Sequence, residues 1–169
     1  MRSSPGYVEA RQALPPITSW RRGWTGVFFF AVRYSGRVEE RVTVVAGVME
    51  RCGKILICRR RADGWHPLKW EFPGGKAEPG EEPPAALARE LQEELGIQAT
   101  IGREITRYGY AYPERKPILL IFCEVKEWNG EPMNLDFAEI LWERRKELPG
   151  YDFVEGDVEF VGRLARGEI

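Results

Sequence analysis

The chain has 169 residues, 43% of them apolar and 30% charged, which is the size and balance of one globular domain with its own core. A formal net charge of -1, from 25 basic and 26 acidic residues, excludes the overall basic character of a nucleic-acid-coating protein. The near-neutral sum conceals a division: the first 41 residues are rich in Arg, whereas Glu71 to Glu94 is dense in carboxylates.

Residues 1–41 contain Pro5, Pro15, Pro16 and an Arg-Arg-Gly-Trp segment without sustained periodicity, and are expected to form an N-terminal extension to a domain spanning 42–169. The apolar run Val27 to Val32 falls short of the roughly 18 residues that cross a bilayer and of the ~7–15 of a secretory core. A cytoplasmic protein without a membrane partner is expected. Cys52, Cys58 and Cys123 are odd in number, lack CxxC spacing and sit in apolar runs, so they are expected as reduced core residues. The single histidine, His66, lies in a polar loop, which excludes a multi-His metal site.

From Val42 the texture changes. Val42 to Met49 and Lys54 to Arg59 are β-branched runs around the turn-like Glu50-Arg-Cys-Gly53, a predicted hairpin. A polar loop, Arg61 to Pro67, leads to a short strand at Lys69–Phe72, and the Gly- and Pro-rich Pro73–Gly80 is predicted to be a loop. Pro83 and Pro84 suit a helix's first turn and Gly96 its stop, which predicts a helix over Pro83–Leu95. Strands are predicted at Ile97–Ile101, Glu104–Tyr112 and Ile118–Val125, a turn at Asn129-Gly130, and a last helix from Asp157 to Arg166. Mixed strands with a central and a terminal helix predict an α/β or α+β fold with a sheet between helices.

On the central helix Leu87, Leu91 and Leu95, with Ala88 beside them, form a stripe for burial. Glu90, Glu93 and Glu94 share a second face by i, i+3, i+4 spacing, which gathers three mutually repelling carboxylates on one patch. Arg89, on the flank, offsets only part of that repulsion. An all-oxygen ligand set selects Mg²⁺, with Mn²⁺ able to substitute, over zinc or copper. Gly74 and Gly75 allow close backbone approach, and Lys76 adds a positive charge.

Gly75, Glu81 after five intervening residues, and Arg89-Glu90-Leu91-Gln92-Glu93-Glu94-Leu95-Gly96-Ile97 after seven more resemble a complete Nudix box, every fixed position agreeing. Resemblance runs from about Val42 to Ala165. It is strongest to the MutT branch of nucleoside triphosphate pyrophosphohydrolases, through Ile57–Arg60, Trp70–Lys76, Tyr112–Arg115 and Trp128–Pro132.

The resemblance implies a Nudix α/β/α sandwich around a central mixed sheet. It implies Mg²⁺ held by Glu90, Glu93, Glu94 and the Gly75 carbonyl, with Glu81 acting through water and Arg89 pairing with Glu81 or Glu90. A late acidic residue, Asp136 or alternatively Glu139, completes the catalytic set of Glu90, Glu93, Arg89 and Asp136. Arg60, Glu71, Phe72, Lys76, Arg115 and Asp157 fall where the branch binds substrate. The implied reaction is attack of activated water on the β-phosphorus, giving nucleoside monophosphate and pyrophosphate.

Asp157 stands where the bacterial archetype has an asparagine, and an ionised carboxylate only accepts hydrogen bonds. Oxidised purine and pyrimidine nucleotides are therefore both open as substrates. ADP-ribose or another X-linked diphosphate is the second expectation, and a non-catalytic nucleotide-binding module the third, although such modules tend to lose the glutamates retained here. The expected partner is a small nucleotide rather than nucleic acid, with the chain a monomer or homodimer.

Overall fold

The structure, a computed structural model, describes residues 41–169. The expected extension, except Arg41, lies outside the described residues, as do Trp20 and Trp24. Strands β1 (Val42–Arg51) and β2 (Lys54–Arg59) form the expected hairpin. Its two-residue turn puts Cys52 and Gly53 at φ of 53° and 71°, the left-handed pair whose twist matches that of the flanking strands. Cys52 is consequently exposed at the turn and not a core residue, whereas Cys58 and Cys123 are buried; no disulfide joins the three.

Strand β3 is confined to Trp70–Glu71, shorter than predicted, and the predicted loop after it contains strand β4 (Gly74–Lys76), antiparallel to β1. The Gly-Pro composition that signals a loop serves a different purpose here. Gly74 has φ of 141°, and a Cβ on it would lie 2.2 Å from the Val45 carbonyl oxygen, so only glycine lets β4 lie against β1.

Helix α1 spans Pro83–Leu95 as predicted, and Gly96 at φ of 70° donates its N–H to the Gln92 carbonyl. Its buried face is Ala86, Leu87, Leu91 and Leu95; Ala86, rather than Ala88, borders the leucine stripe. Each leucine contributes about 2 kcal/mol on full burial, so packing rather than local propensity stabilises the helix.

The two strands predicted between Ile97 and Tyr112 are one strand, β5 (Gln98–Tyr110), antiparallel to β6 (Ile118–Asn129). Register shifts between Thr100 and Thr106 mark bulges where the alternating pattern breaks, hence the apparent gap. Gly130, at φ of 96°, ends β6 as expected. Strand β7 (Glu139–Arg144) and a 3-10 helix (Arg145–Gly150) were not legible from the charged sequence, while α2 (Val158–Ala165) falls inside the predicted last helix.

The seven strands form one mixed sheet in the order β3-β2-β1-β6-β5, with β4 on β1 and β7 on β2; β1 and β6 run parallel. Alternation along β1 divides the core. Ala46 and Val48 join Phe122, Phe160 and Leu164 on the α2 side, and Val45 and Met49 join Leu87, Leu91 and Leu95 on the α1 side. The result is the expected α/β/α sandwich. No helix among the described residues is long and apolar enough to cross a membrane.

Candidate active site

The middle of β1 brings β4 beneath α1, and this places the glycine turn against the acidic face of the helix. A Cβ on Gly75 would stand 2.5 Å from the Glu90 carboxyl, so the backbone here lies directly on that side chain. Glu94 turns inward and accepts the Gly74 N–H at 2.9 Å. Glu93 is the outermost of the three, its side chain 59% exposed.

Arg89 is the centre of the patch rather than a flanking partial offset. It grips both oxygens of Glu81 at 3.1 and 3.0 Å, Glu90 at 2.9 Å, Glu93 at 3.4 Å and the Lys76 carbonyl at 3.1 Å. Helix spacing alone does not reveal this, because Glu81 and Lys76 reach Arg89 from the preceding loop. The guanidinium fork suits such multiple acceptors.

As they lie, no three Asp, Glu, His or Cys side chains among the described residues are gathered closely enough to grip a metal. The common face expected for Glu90, Glu93 and Glu94 exists, but Glu90 and Glu93 are drawn to Arg89 while Glu94 turns to the Gly74 N–H. The set nevertheless fits a hard divalent cation. Among the described residues Glu94 has no ion-pair partner. Burial, opposed by the Gly74 N–H and reinforced by acidic Glu71, Glu90 and Asp136, pushes its carboxyl up to about 9. A desolvated acid among acids is the environment a cation relieves.

The loop after β6 docks on the end of α1: the N–H groups of Met133 and Leu135 bond the carbonyls of Leu95 and Glu94 at 2.9 and 3.0 Å. Asn134 then clamps the Phe137 backbone from both sides, at 2.9 and 3.0 Å. The loop thus brings Asp136 to a small 260 Å³ cavity shared with Glu94, Glu71 and Gly74. Glu139 instead stands 3.7 Å from Arg59 on the surface, so Asp136 is the better placed of the two late acids.

A larger cavity of 470 Å³ adjoins this patch, sharing Gly74, Arg60 and Glu71 with it. Val44, Ala46, Phe72, Ile118 and Leu120 supply apolar surface, and Lys76, Arg115 and Asp157 also line it. All six expected substrate-binding residues therefore border one cavity. Arg60 bonds Glu71 at 2.6 Å, which secures a carboxylate whose pKa burial raises. The Arg59-Arg60-Arg61 run does not act as a cluster: Arg59 bonds the Leu68 carbonyl and Arg61 turns to Asp63. Trp65, His66 and Tyr112 also line the cavity and were not singled out as site residues, since nothing in a polar loop's composition aims an aromatic at a distant strand end. Tyr108 and Tyr110 pack on the core, whereas Tyr112 lies past the end of β5.

Asp157 is 4% exposed and accepts the Phe72 N–H at 3.4 Å. Burial, then the Glu71 charge, raises its carboxyl to about 8 against the pull of that N–H and of Arg60. The folded protein thus keeps a proton that the unfolded chain loses near pH ~3.9. Stability from the protonated form is complete below that value and is lost as pH rises through about 8. Asp157→Asn is expected to exceed the wild type in unfolding free energy at pH 8 by a few kcal/mol, on the order of 1.4 per pH unit of separation. The gap should narrow as pH falls and close towards pH ~4, the unfolded-state pKa. Urea unfolding across this range checks it, and parallel curves for the two proteins would contradict it.

The site thus consists of a carboxylate patch on a helix, joined to a partly apolar cavity lined also by Arg60, Lys76 and Arg115. The chain matches the NUDIX domain family over residues 39–163 and belongs to that family. It is 35% identical to the 8-oxo-dGTP diphosphatase of Haemophilus influenzae, over 73% of this chain and 90% of that one. It is 36% identical to the CTP pyrophosphohydrolase of Escherichia coli, over 71% and 88%. Its fold is similar to the solution structure of the Escherichia coli ORF135 protein, with a TM-score of 0.66 and 34% identity over 73% of this chain and 87% of the other.

Proposed function

We propose that this protein hydrolyses a nucleoside triphosphate, oxidised or pyrimidine, to the monophosphate and pyrophosphate. The observation that carries this reading is the continuity of the two cavities across Gly74, which puts an apolar nucleoside-sized space next to the acidic helix.

Glu90, Glu93, Glu94 and the Gly75 carbonyl would hold Mg²⁺, or Mn²⁺ in its place; when bound, the cation neutralises polyphosphate charge and acidifies water. Arg89 orients Glu90 and Glu93 and ties them to Glu81. Glu93 or Asp136 takes the proton of the attacking water, Glu93 because it is exposed and lightly held, Asp136 because its loop brings it beside Glu94. Lys76, Arg60 and Arg115 supply positive charge around the phosphates, while Phe72 and Asp157 face the base. Free cysteines suit a reducing cytoplasm, and the chain acts as a monomer or homodimer.

The test is a panel of normal and oxidised nucleoside triphosphates beside ADP-ribose and dinucleotide polyphosphates, with Mg²⁺, scored for pyrophosphate against orthophosphate. Pyrophosphate released from triphosphates is the expected result. Turnover of the conjugates alone would move the assignment to an X-linked diphosphate hydrolase, and no turnover to a binding module.

A further inference from the structure

Outside the acidic patch, the least economical part of the described structure is the loop between β2 and β3. His66 and Leu68 both adopt left-handed backbone conformations, with φ of 52° and 61°, uncommon for residues with side chains and rarer still for a bulky one. The Nε2 atom of His66 is buried without a hydrogen-bond partner. A solvated surface loop has no reason to retain either cost. The same loop carries Trp65, which lines the larger cavity while staying partly exposed.

Trp65 remains 44% exposed although three groups surround its ring. His66 lies 3.8 Å away centroid to centroid, Tyr112 meets it edge-on at 4.6 Å, and the Arg115 guanidinium lies 4.9 Å from its centre. The last two come from the loop beyond β5, so the contact joins two loops that both line the cavity. Arg60 donates from Nε to the Trp65 carbonyl at 2.7 Å and from Nη1 to Glu71 at 2.6 Å, linking the backbone that carries the ring to the cavity wall.

Resting on the nucleotide assignment above, we propose that Trp65 is a specificity-determining residue. Its ring stacks on the substrate's base and selects aromatic nucleosides over base-free polyphosphates, while Arg115, presented beside it, serves the phosphates. A large, rigid aromatic that lines a cavity with a portion left open loses little entropy on stacking, and each base has a π-face to offer. A cation already attracted to the ring joins base and phosphate recognition in one contact.

The experiment compares wild type, Trp65→Ala and Trp65→Phe on whichever nucleoside triphosphate the wild type turns over best. It also measures the affinity of inorganic pyrophosphate in Mg²⁺ by calorimetry. Trp65→Ala is expected to raise KM about tenfold or more, the scale of one base-aromatic stack, with kcat falling less than about threefold. Trp65→Phe should recover most of the loss, and pyrophosphate affinity should be the same in all three proteins. An unchanged KM in Trp65→Ala overturns the proposal. So does a pyrophosphate affinity that weakens by the same factor as KM, because Trp65 would then shape the whole site. A wild type inactive on every triphosphate overturns the proposed function itself, a result that does not depend on either variant.

Discussion

Glu93→Gln is expected to lower kcat by ~10²–10⁴-fold while leaving the unfolding free energy almost unchanged. The geometry separates the two effects unusually well. The Glu93 side chain is 59% exposed, and its side-chain contact is a long 3.4 Å one with Arg89. An exposed pair of this kind contributes at most about 1 kcal/mol. Gln preserves size and helical propensity and removes only the charge, so a loss of turnover would come from metal binding or proton transfer. Steady-state kinetics in Mg²⁺ beside urea unfolding decide it. A rate within about threefold of wild type would remove Glu93 from the catalytic set.

Arg89→Ala is expected to damage both properties. Removing the guanidinium leaves Glu81 and Glu90 without the cation that now bonds them, and frees the Lys76 carbonyl in the turn that carries Gly75. Discounted for partial exposure, the stability loss should be about 1–2 kcal/mol, or roughly 3–8 °C in Tm. Activity should fall by about tenfold or more, since Glu90 and the β4 turn lose their mutual register. Arg89→Lys tests the geometry, because a single ammonium replaces one charge but not the fork that reaches four partners. The lysine variant is expected to regain part of the Tm and little of the rate. Full activity in it would show that charge alone is required.

Much of the fold was legible because it follows local periodicity. The leucine stripe and Gly96 delimit α1, and the alternation in β1 and β2 with the Cys52-Gly53 turn defines the hairpin. What escaped was set by pairing between distant segments. Gly74–Lys76 has the composition of a loop and becomes a strand because β1 offers it an edge; Glu139–Arg144 is charged at both ends and becomes β7 because β2 has a free one. Bulges split the pattern of β5 into two apparent strands.

The same division holds at the site. Spacing along one helix is a property of the sequence, and so the carboxylate face of Glu90, Glu93 and Glu94, the close backbone approach that Gly74 and Gly75 allow and the membership of the Nudix family could be read from residue order alone. Where each carboxylate points, which late acid comes near, how Arg89 couples loop to helix and which aromatics close the cavity depended on the tertiary structure. The reason is physical: side-chain ends seek charge and hydrogen-bond partners across space, and Asp136 or Tyr112 meets the site only after the sheet has brought distant loops together.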